Sequence, residues 1–280
     1  MRTYSIVFLD IDGTLLDSKH QIMPCTQDRL QYLHRRGVPI VLCSARPPEG
    51  VNLVARQVGV QGPVACYNGG LIFDEHSTIL RDVGIDIPLA LEFKRFVSEQ
   101  FPELVVSAYL YNVWMAEDPR KPEILQEAEI SHCTPLKGSL EKVAAAAPHV
   151  HKLLCIGDAM RIRALQKEVQ AHFPQLMALR SKATYLEILP LESTKHSAVK
   201  VLLDHYGLDP IQAVAFGDSD VDADMLQYCG FGVAMGNAPK SVKEAADYVT
   251  ASNDQEGVYI ALNSLRLKAP GGKRNPEKAR

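Results

Sequence analysis

Apolar and polar positions alternate in blocks along the first eighty residues. Tyr4 to Leu9 is a short apolar run, partly β-branched, that stops at Asp10. A run of that length predicts a buried strand. Pro24 to Arg36 carries Leu30 and Leu33 on one helical face, and Gly37 follows as a stop signal. Val38 to Cys43 predicts a second buried strand. Pro48 to Val58 sets Val51, Val54 and Val58 at helical spacing before Gly59, and Pro63 to Cys66 predicts a third strand. Leu71 to Phe73 and Thr78 to Leu80 flank a polar Asp74-Glu75-His76-Ser77 segment, the pattern of a hairpin. Strand-helix alternation of this kind predicts an α/β fold, a doubly wound parallel sheet of Rossmann-like type with helices on both faces.

The pattern loosens near Asp82-Val83-Gly84. It predicts a helix at Leu89 to Gln100, one strand at Leu104 to Met115 and a helix within Pro122 to Glu129. A strand at Leu153 to Ile156, a helix at Arg161 to Phe173 and two strands across Leu176 to Leu189 follow. That is an α+β order, expected of an inserted domain over residues 83–190. The doubly wound order then resumes. Ser193 to Tyr206 predicts a helix capped by Ser193, Ala213 to Phe216 a buried strand and Ala223 to Tyr228 a short helix. Phe231 to Ala234 and Tyr248 to Thr250 predict strands, with a helix at Pro239 to Ala246 between them. Residues 1–82 and 191–264 therefore read as one core domain. Residues 265–280, rich in Pro, Gly, Lys and Arg, read as a disordered basic tail.

Composition narrows the picture. The 280 residues are 46% hydrophobic and 22% charged, with a formal net charge of -3. Nothing in that balance points to nucleic acid or an anionic membrane. No apolar run approaches the ~18 residues of a membrane-spanning helix, and the run from Tyr4 to Leu9 lacks the h-region length and cleavage site expected of a signal peptide. The six cysteines show no metal-ligand spacing, and Cys43, Cys66 and Cys155 lie in apolar runs. A cytoplasmic protein with free thiols is the expectation.

Candidate chemistry sits where predicted strands end. Asp10-Ile11-Asp12-Gly13-Thr14 directly follows the first strand. Ligands of open α/β sheets bind at the carboxyl ends of strands. In extended chain Asp10 and Asp12 face the same way, so one carboxylate can attack phosphorus while the other handles the leaving-group proton. By itself an Asp/Gly turn explains this stretch as well. A second acidic run, Gly217-Asp218-Ser219-Asp220-Val221-Asp222-Ala223-Asp224, follows another buried strand. Clustered carboxylates suit magnesium. An EF-hand loop is excluded, because Ala223 and Cys229 stand where that loop needs Gly and Glu. Ser44, after the second strand, has a hydroxyl and nearby amides suited to phosphoryl oxygens. Lys195 opens a helix, where a cation opposes the helix dipole; an anion held there would resolve the conflict.

Taken together these motifs resemble the haloacid dehalogenase superfamily, and within it the Cof-type phosphatases with a large α/β cap. The resemblance spans roughly residues 4 to 263. Its first motif is matched by Asp10-Ile11-Asp12-Gly13-Thr14-Leu15 and its second by Ser44-Ala45-Arg46. Its third is Lys195, and its fourth begins at Gly217-Asp218-Ser219-Asp220. Asn68-Gly69, Met235-Gly236-Asn237-Ala238, Asn253-Asp254 and Gly257-Val258 add subgroup signatures. Val221 departs from the family, which carries Asn there to help hold the metal or its waters. The resemblance implies a Mg2+-dependent hydrolase of small-molecule phosphate monoesters acting through an aspartyl-phosphate on Asp10. It implies Asp12 as acid/base, screened from water by the cap, and Mg2+ on Asp10, the Asp12 carbonyl and Asp218. It further implies Ser44, Ala45, Arg46, Asn68 and Lys195 near the phosphate, and Asp222 behind them, orienting water or Lys195. The alternatives left open are a phosphotransferase or mutase of the same superfamily and a non-catalytic phosphate sensor.

Overall fold

The structure is a computed structural model and describes residues 2–131, 133–143 and 147–271. The chain divides into two compact units. The first joins residues 1–81 to 194–280, and the second is the continuous stretch 82–193.

An eight-stranded sheet organises the first unit. Its order is Tyr248–Val249, Phe231–Ala234, Ala213–Gly217, Ile6–Asp10, Ile40–Cys43, Val64–Cys66, Leu71–Phe73 and Ile79–Asp82. From Tyr248–Val249 to Val64–Cys66 every pairing is parallel, and Leu71–Phe73 then turns antiparallel. Ile6–Asp10 lies in the middle and is buried along its whole length, as the continuous apolar run requires of a strand covered on both faces. Ile6 and Phe8 pack with Val41, Cys43 and Ala65 against Ala198, Val199 and Leu202. Burying a side chain of Phe8's size stabilises the fold by about 1.5–3 kcal/mol. The helix Pro24–Arg35 has no local side-chain cap. The Glu256 carboxylate instead accepts from the Cys25 and Thr26 backbone amides at 2.9 Å each, which satisfies donors that the first helical turn leaves open.

Two expectations are corrected here. The helix that resumes the core starts at Lys195 and is capped by Thr194, whose hydroxyl accepts from the Ser197 amide, not by Ser193. The tail is not structureless from residue 265. Arg266–Leu267 forms a strand parallel to Thr3–Tyr4, and the Lys268 amide continues the ladder to the Tyr4 carbonyl at 2.9 Å. The alternation Leu265, Leu267 supports that strand, but the Lys- and Pro-rich composition beyond it masks so short an apolar signal. The basic positions Lys273, Arg274, Lys278 and Arg280 lie outside the described residues.

The second unit is built on a six-stranded sheet, ordered Leu136–Lys137, Val113–Ala116, Val105–Leu110, Lys152–Ile156, Tyr185–Pro190 and Leu176–Lys182. Ala108, Leu153, Cys155, Leu186 and Ile188 on one sheet face pack against Phe93, Val97, Ile162 and Leu165 of the helices Ile87–Gln100 and Ala159–His172. The stretch Leu104 to Met115 is not one strand. It is a hairpin that turns at Tyr111, whose φ is 49°. No Gly or Pro marks that turn, and a single Asn112 among apolar residues is too weak a signal to divide the stretch. All six cysteines are free thiols.

Candidate functional site

Four strand ends of the first unit carry the site. Asp10 closes the central strand, Ser44 follows Ile40–Cys43, Asn68 follows Val64–Cys66, and Asp218 follows Ala213–Gly217. All four strands run parallel, so their carboxyl ends open on one edge of the sheet. The fifth contributor, Lys195, is the first residue of its helix and only 2% exposed.

Lys195 bridges two carboxylates. Its ammonium donates to Asp10 Oδ1 and, at 2.5 Å, to Asp222 Oδ1. The other Asp222 oxygen accepts from the Asp218 and Ser219 amides and from the Ser219 hydroxyl, at 3.1, 2.9 and 2.7 Å. Asp222 is thereby fully engaged and fixes where the ammonium points. Burial alone pulls Lys195 toward its neutral form, but Asp10 and Asp222 outweigh it and hold the ammonium charged, above the ordinary lysine value.

The charges do not balance. Asp10, Asp218 and Asp222 bring carboxylate oxygens within 4.8 Å of one another, with one lysine among them. Burial pushes the Asp10 carboxyl well up, against the pull of Lys195, and the charges of Asp222 and Asp218 push it further. Burial likewise raises Asp218, against its hydrogen bond from Thr14. Two neighbouring carboxyls so raised either share a proton or take a cation. With Asp222 spent on Lys195 and Ser219, the oxygens of Asp10 and Asp218 remain, and hard carboxylate oxygens of this kind suit Mg2+.

Asp218 is held from several sides. The Thr14 hydroxyl donates to Oδ1 at 2.8 Å. Asn237 Nδ2 donates to the Gly13 carbonyl at 2.8 Å and lies 3.5 Å from Asp218 Oδ2. Asn237 Oδ1 accepts from the Asn253 amide, and Asn253 Nδ2 donates to the Leu16 carbonyl. Gly13 has φ 84°, and a Cβ there would run into the Asp218 carboxylate. These contacts were not readable as roles in the sequence. The Asn237 and Asn253 motifs were visible, but the Gly13 and Leu16 carbonyls to which they donate lie over two hundred positions away in the chain. Asp220, a neighbour of Val221, accepts from the Ser241 hydroxyl at 2.7 Å.

Asp12 and Arg46 form a pair. Arg46 donates to both Asp12 oxygens, at 2.8 and 2.5 Å. The Asp12 side chain is 47% exposed. The Ser44 hydroxyl is buried and accepts from the Arg46 amide, and the Ser44 carbonyl accepts from the Asn68 amide at 2.9 Å. Asn68 adopts a left-handed φ of 54°, and its buried Oδ1 has no hydrogen-bond partner among the described residues. A loop so constrained around an unsatisfied polar atom is a place where a ligand completes the bonding.

Known proteins resemble this chain along nearly its whole length. The chain matches the haloacid dehalogenase-like hydrolase family over residues 7–262. It is 35% identical to a Haemophilus influenzae protein that carries a provisional phosphatase name, over 92% of this chain and 97% of that one. It is 28% identical to the HMP-PP phosphatase of Serratia proteamaculans, over 86% of each. Among solved structures it superposes on a haloacid dehalogenase-like hydrolase from Bacteroides thetaiotaomicron with a TM-score of 0.83 and 28% identity, covering 94% of this chain and 99% of that one. A parallel sheet with its acidic strand ends, and a family match that runs nearly end to end, lead to one conclusion: the chain belongs to the haloacid dehalogenase-like hydrolase family.

Proposed function

We propose that this hydrolase is a Mg2+-dependent phosphatase of small-molecule phosphate monoesters, with Asp10 as its nucleophile. The observation that carries the reading is the buried Asp10 carboxylate at the end of the central strand, held by Lys195 and set beside Asp218. Phosphatase names among its relatives support the reaction class.

Asp10 and Asp218, with the Asp12 carbonyl, would hold Mg2+, which when bound supplies positive charge against the repulsion between carboxylate and phosphate. An Asp10 oxygen attacks phosphorus as the bond to the leaving alcohol breaks. Asp12 gives that alcohol its proton. Asp12 then takes a proton from water, the water oxygen attacks phosphorus, and the Asp10–phosphorus bond breaks. Release of Asp12 from Arg46 is part of this cycle, since a carboxylate held bidentately by a guanidinium is a poor proton donor. Arg46, once free of Asp12, has a fork of donors for the phosphoryl oxygens. The Ser44 hydroxyl, the Ala45 amide, Asn68 and the Lys195 ammonium stabilise the charge on those oxygens. Asp222 keeps the ammonium aimed.

A panel of phosphate esters assayed for inorganic phosphate release tests the reading, with the Asp12→Asn variant examined by mass spectrometry. Turnover by the parent and a phospho-adduct on Asp10 in the variant are expected. Absence of turnover on every ester would refute the hydrolytic reading, and turnover with no adduct would refute the covalent one.

A further inference from the structure

The second unit carries an open cleft of about 320 Å³ lined by Ala159, Arg163, Arg180, Ser181, Lys182 and Ala183. Three of the six are cations, and no carboxylate is among them. None of Arg163, Arg180 and Lys182 makes an ion pair in the described structure. Their neighbours behave differently. Arg161 pairs with Glu103, and Lys94 pairs with Glu117 and Glu141. Asp158, which precedes the lining residue Ala159, turns one carboxylate oxygen to the Met160 and Arg161 amides as a helix cap. Glu127 feels the charge of Lys182, but burial raises its carboxyl and weakens it as a counter-charge.

Local structure brings the cations together. Gln166 ties the helix Ala159–His172 to the strand Leu176–Lys182 through the Ala178 carbonyl at 3.1 Å, and Arg163 stands one turn earlier on that helix. The strand is the outer one of its sheet. Its register slips between Leu179 and Lys182, so Arg180 and Ser181 together oppose Leu186 alone. A bulge of this kind re-aims side chains and frees backbone groups from the ladder. The Lys182 ammonium lies 4.4 Å from the centre of the Tyr185 ring, which fixes its position. Ala159 and Ala183 leave the space between the cations open.

Three cations that converge on one concavity repel one another, and the repulsion is relieved by a bound anion. Two guanidinium forks, one ammonium and a serine hydroxyl form the donor set of a phosphate or carboxylate site. We propose that this cleft is an anion site for a small molecule carrying a phosphate or carboxylate group. Two sources share that chemistry: a second anionic group on the enzyme's own substrate, and a separate anion that binds apart from catalysis. The first source rests on the phosphatase reading, and the second does not.

The test has two arms on the full-length protein. In the first, the Nε signals of Arg163 and Arg180 are followed by NMR in arginine-labelled protein as inorganic phosphate is added. They are assigned with Arg163→Lys and Arg180→Lys. Both signals are expected to move and saturate in the millimolar range, about the affinity of a small, solvent-open site. The Arg180→Gln/Lys182→Gln variant should weaken that response about tenfold. All the changed residues are exposed, and circular dichroism checks that the variant keeps its fold. Signals that stay still up to ~20 mM phosphate would overturn the proposal. In the second arm, KM is measured for the mono- and bisphosphate of one sugar and for p-nitrophenyl phosphate. If the substrate supplies the anion, the double variant raises KM for the bisphosphate about tenfold and leaves p-nitrophenyl phosphate unchanged. Unchanged KM values for all three esters, with the NMR response intact, assign the anion to the second source. Failure of all three esters to turn over would remove the phosphatase reading and leave the first arm to decide the cleft.

Discussion

Two carboxylate-centred clusters in this molecule look alike as lists of residues and differ as chemistry. In the first unit Asp10, Asp218 and Asp222 converge, and in the second Asp82, His149 and His151 do. Either set has the spacing of metal ligands. Proton positions separate them. Asp82 Oδ1 lies 2.8 Å from His149 Nε2 and 3.0 Å from His151 Nε2, while the Tyr111 hydroxyl donates to Oδ2 at 2.5 Å. The Tyr111 amide donates to His151 Nδ1 at 3.2 Å. Neutral His151 therefore carries its proton on Nε2, aimed at Asp82, where a metal would need a bare lone pair. The Asp82 cluster is a satisfied hydrogen-bond knot, and burial is outweighed there by Tyr111 and His149, which hold the carboxyl below its usual range. The Asp10 cluster has more negative charge than its lysine balances. Surplus charge, not the count of ligand-type residues, marks the site.

The largest effects should come from the unbalanced cluster. Asp10→Asn should lower phosphate release by a thousandfold or more, on the order seen when a covalent nucleophile is lost, while circular dichroism shows a retained fold. Activity within tenfold of the parent would mean that Asp10 is not the nucleophile. Lys195→Ala should cut kcat by about 10²- to 10³-fold and also lower the melting temperature, because Asp222 is left buried without its cation. An unchanged kcat would place Lys195 outside the chemistry.

The satisfied cluster should respond to pH instead. Burial pushes the His151 imidazole down to about 4, from an ordinary value of 6.5. The unfolded chain therefore takes up a proton on His151 between those values and the folded chain does not. Its contribution is present above pH 6.5 and is lost as pH falls toward 4. The lowered Asp82 carboxyl acts in the same direction at lower pH, contributing above its ordinary value and losing that contribution as it protonates. Melting temperatures at pH 7 and pH 5 should show His151→Gln falling less than the parent, by a few degrees. Equal slopes would show that the imidazole does not control this dependence.

The smallest effects concern metal affinity. If Asn237 does for Asp218 what an Asn at 221 would do, Asn237→Ala should raise the magnesium concentration for half-maximal activity severalfold, about 1 kcal/mol for one lost hydrogen bond. Val221→Asn should lower it modestly, with saturated kcat unchanged. Magnesium-dependent shifts in melting temperature give a readout independent of turnover. An Asn237→Ala protein with unaltered magnesium response would assign Asn237 to loop structure alone. Asp82→Asn should leave the magnesium response untouched, and a change there would contradict the contrast between the clusters.

The parallel core was legible because strands buried on both faces print as unbroken apolar runs, and Asp10, Ser44 and Asp218 each sit one step beyond such a run. Lys195 was legible as a local inconsistency at a helix start. The pairing of Asp12 with Arg46 was not, since both residues were assigned to phosphate chemistry and only three-dimensional placement shows that they neutralise each other. The helix Gly257–Ser264 was also hidden: it opens with a glycine and is apolar nearly throughout, so it lacks the polar face that makes a surface helix readable.

The central strand's pairing has a consequence for how the chain comes to be folded. Ile6–Asp10 is flanked on one side by Ile40–Cys43, close in sequence, and on the other by Ala213–Gly217. The second partner leaves the ribosome only after residues 82–193, a continuous unit with its own core, have emerged. At ~5–20 residues per second this separates the two pairings by roughly ten seconds or more. During that interval the edge of the nascent sheet that carries Asp10 stands unpaired, an open template for other strands. Early folding of residues 82–193 would shorten the effective loop and ease the late closure. Asp10, the proposed nucleophile, thus sits on a core strand whose second partner is made late.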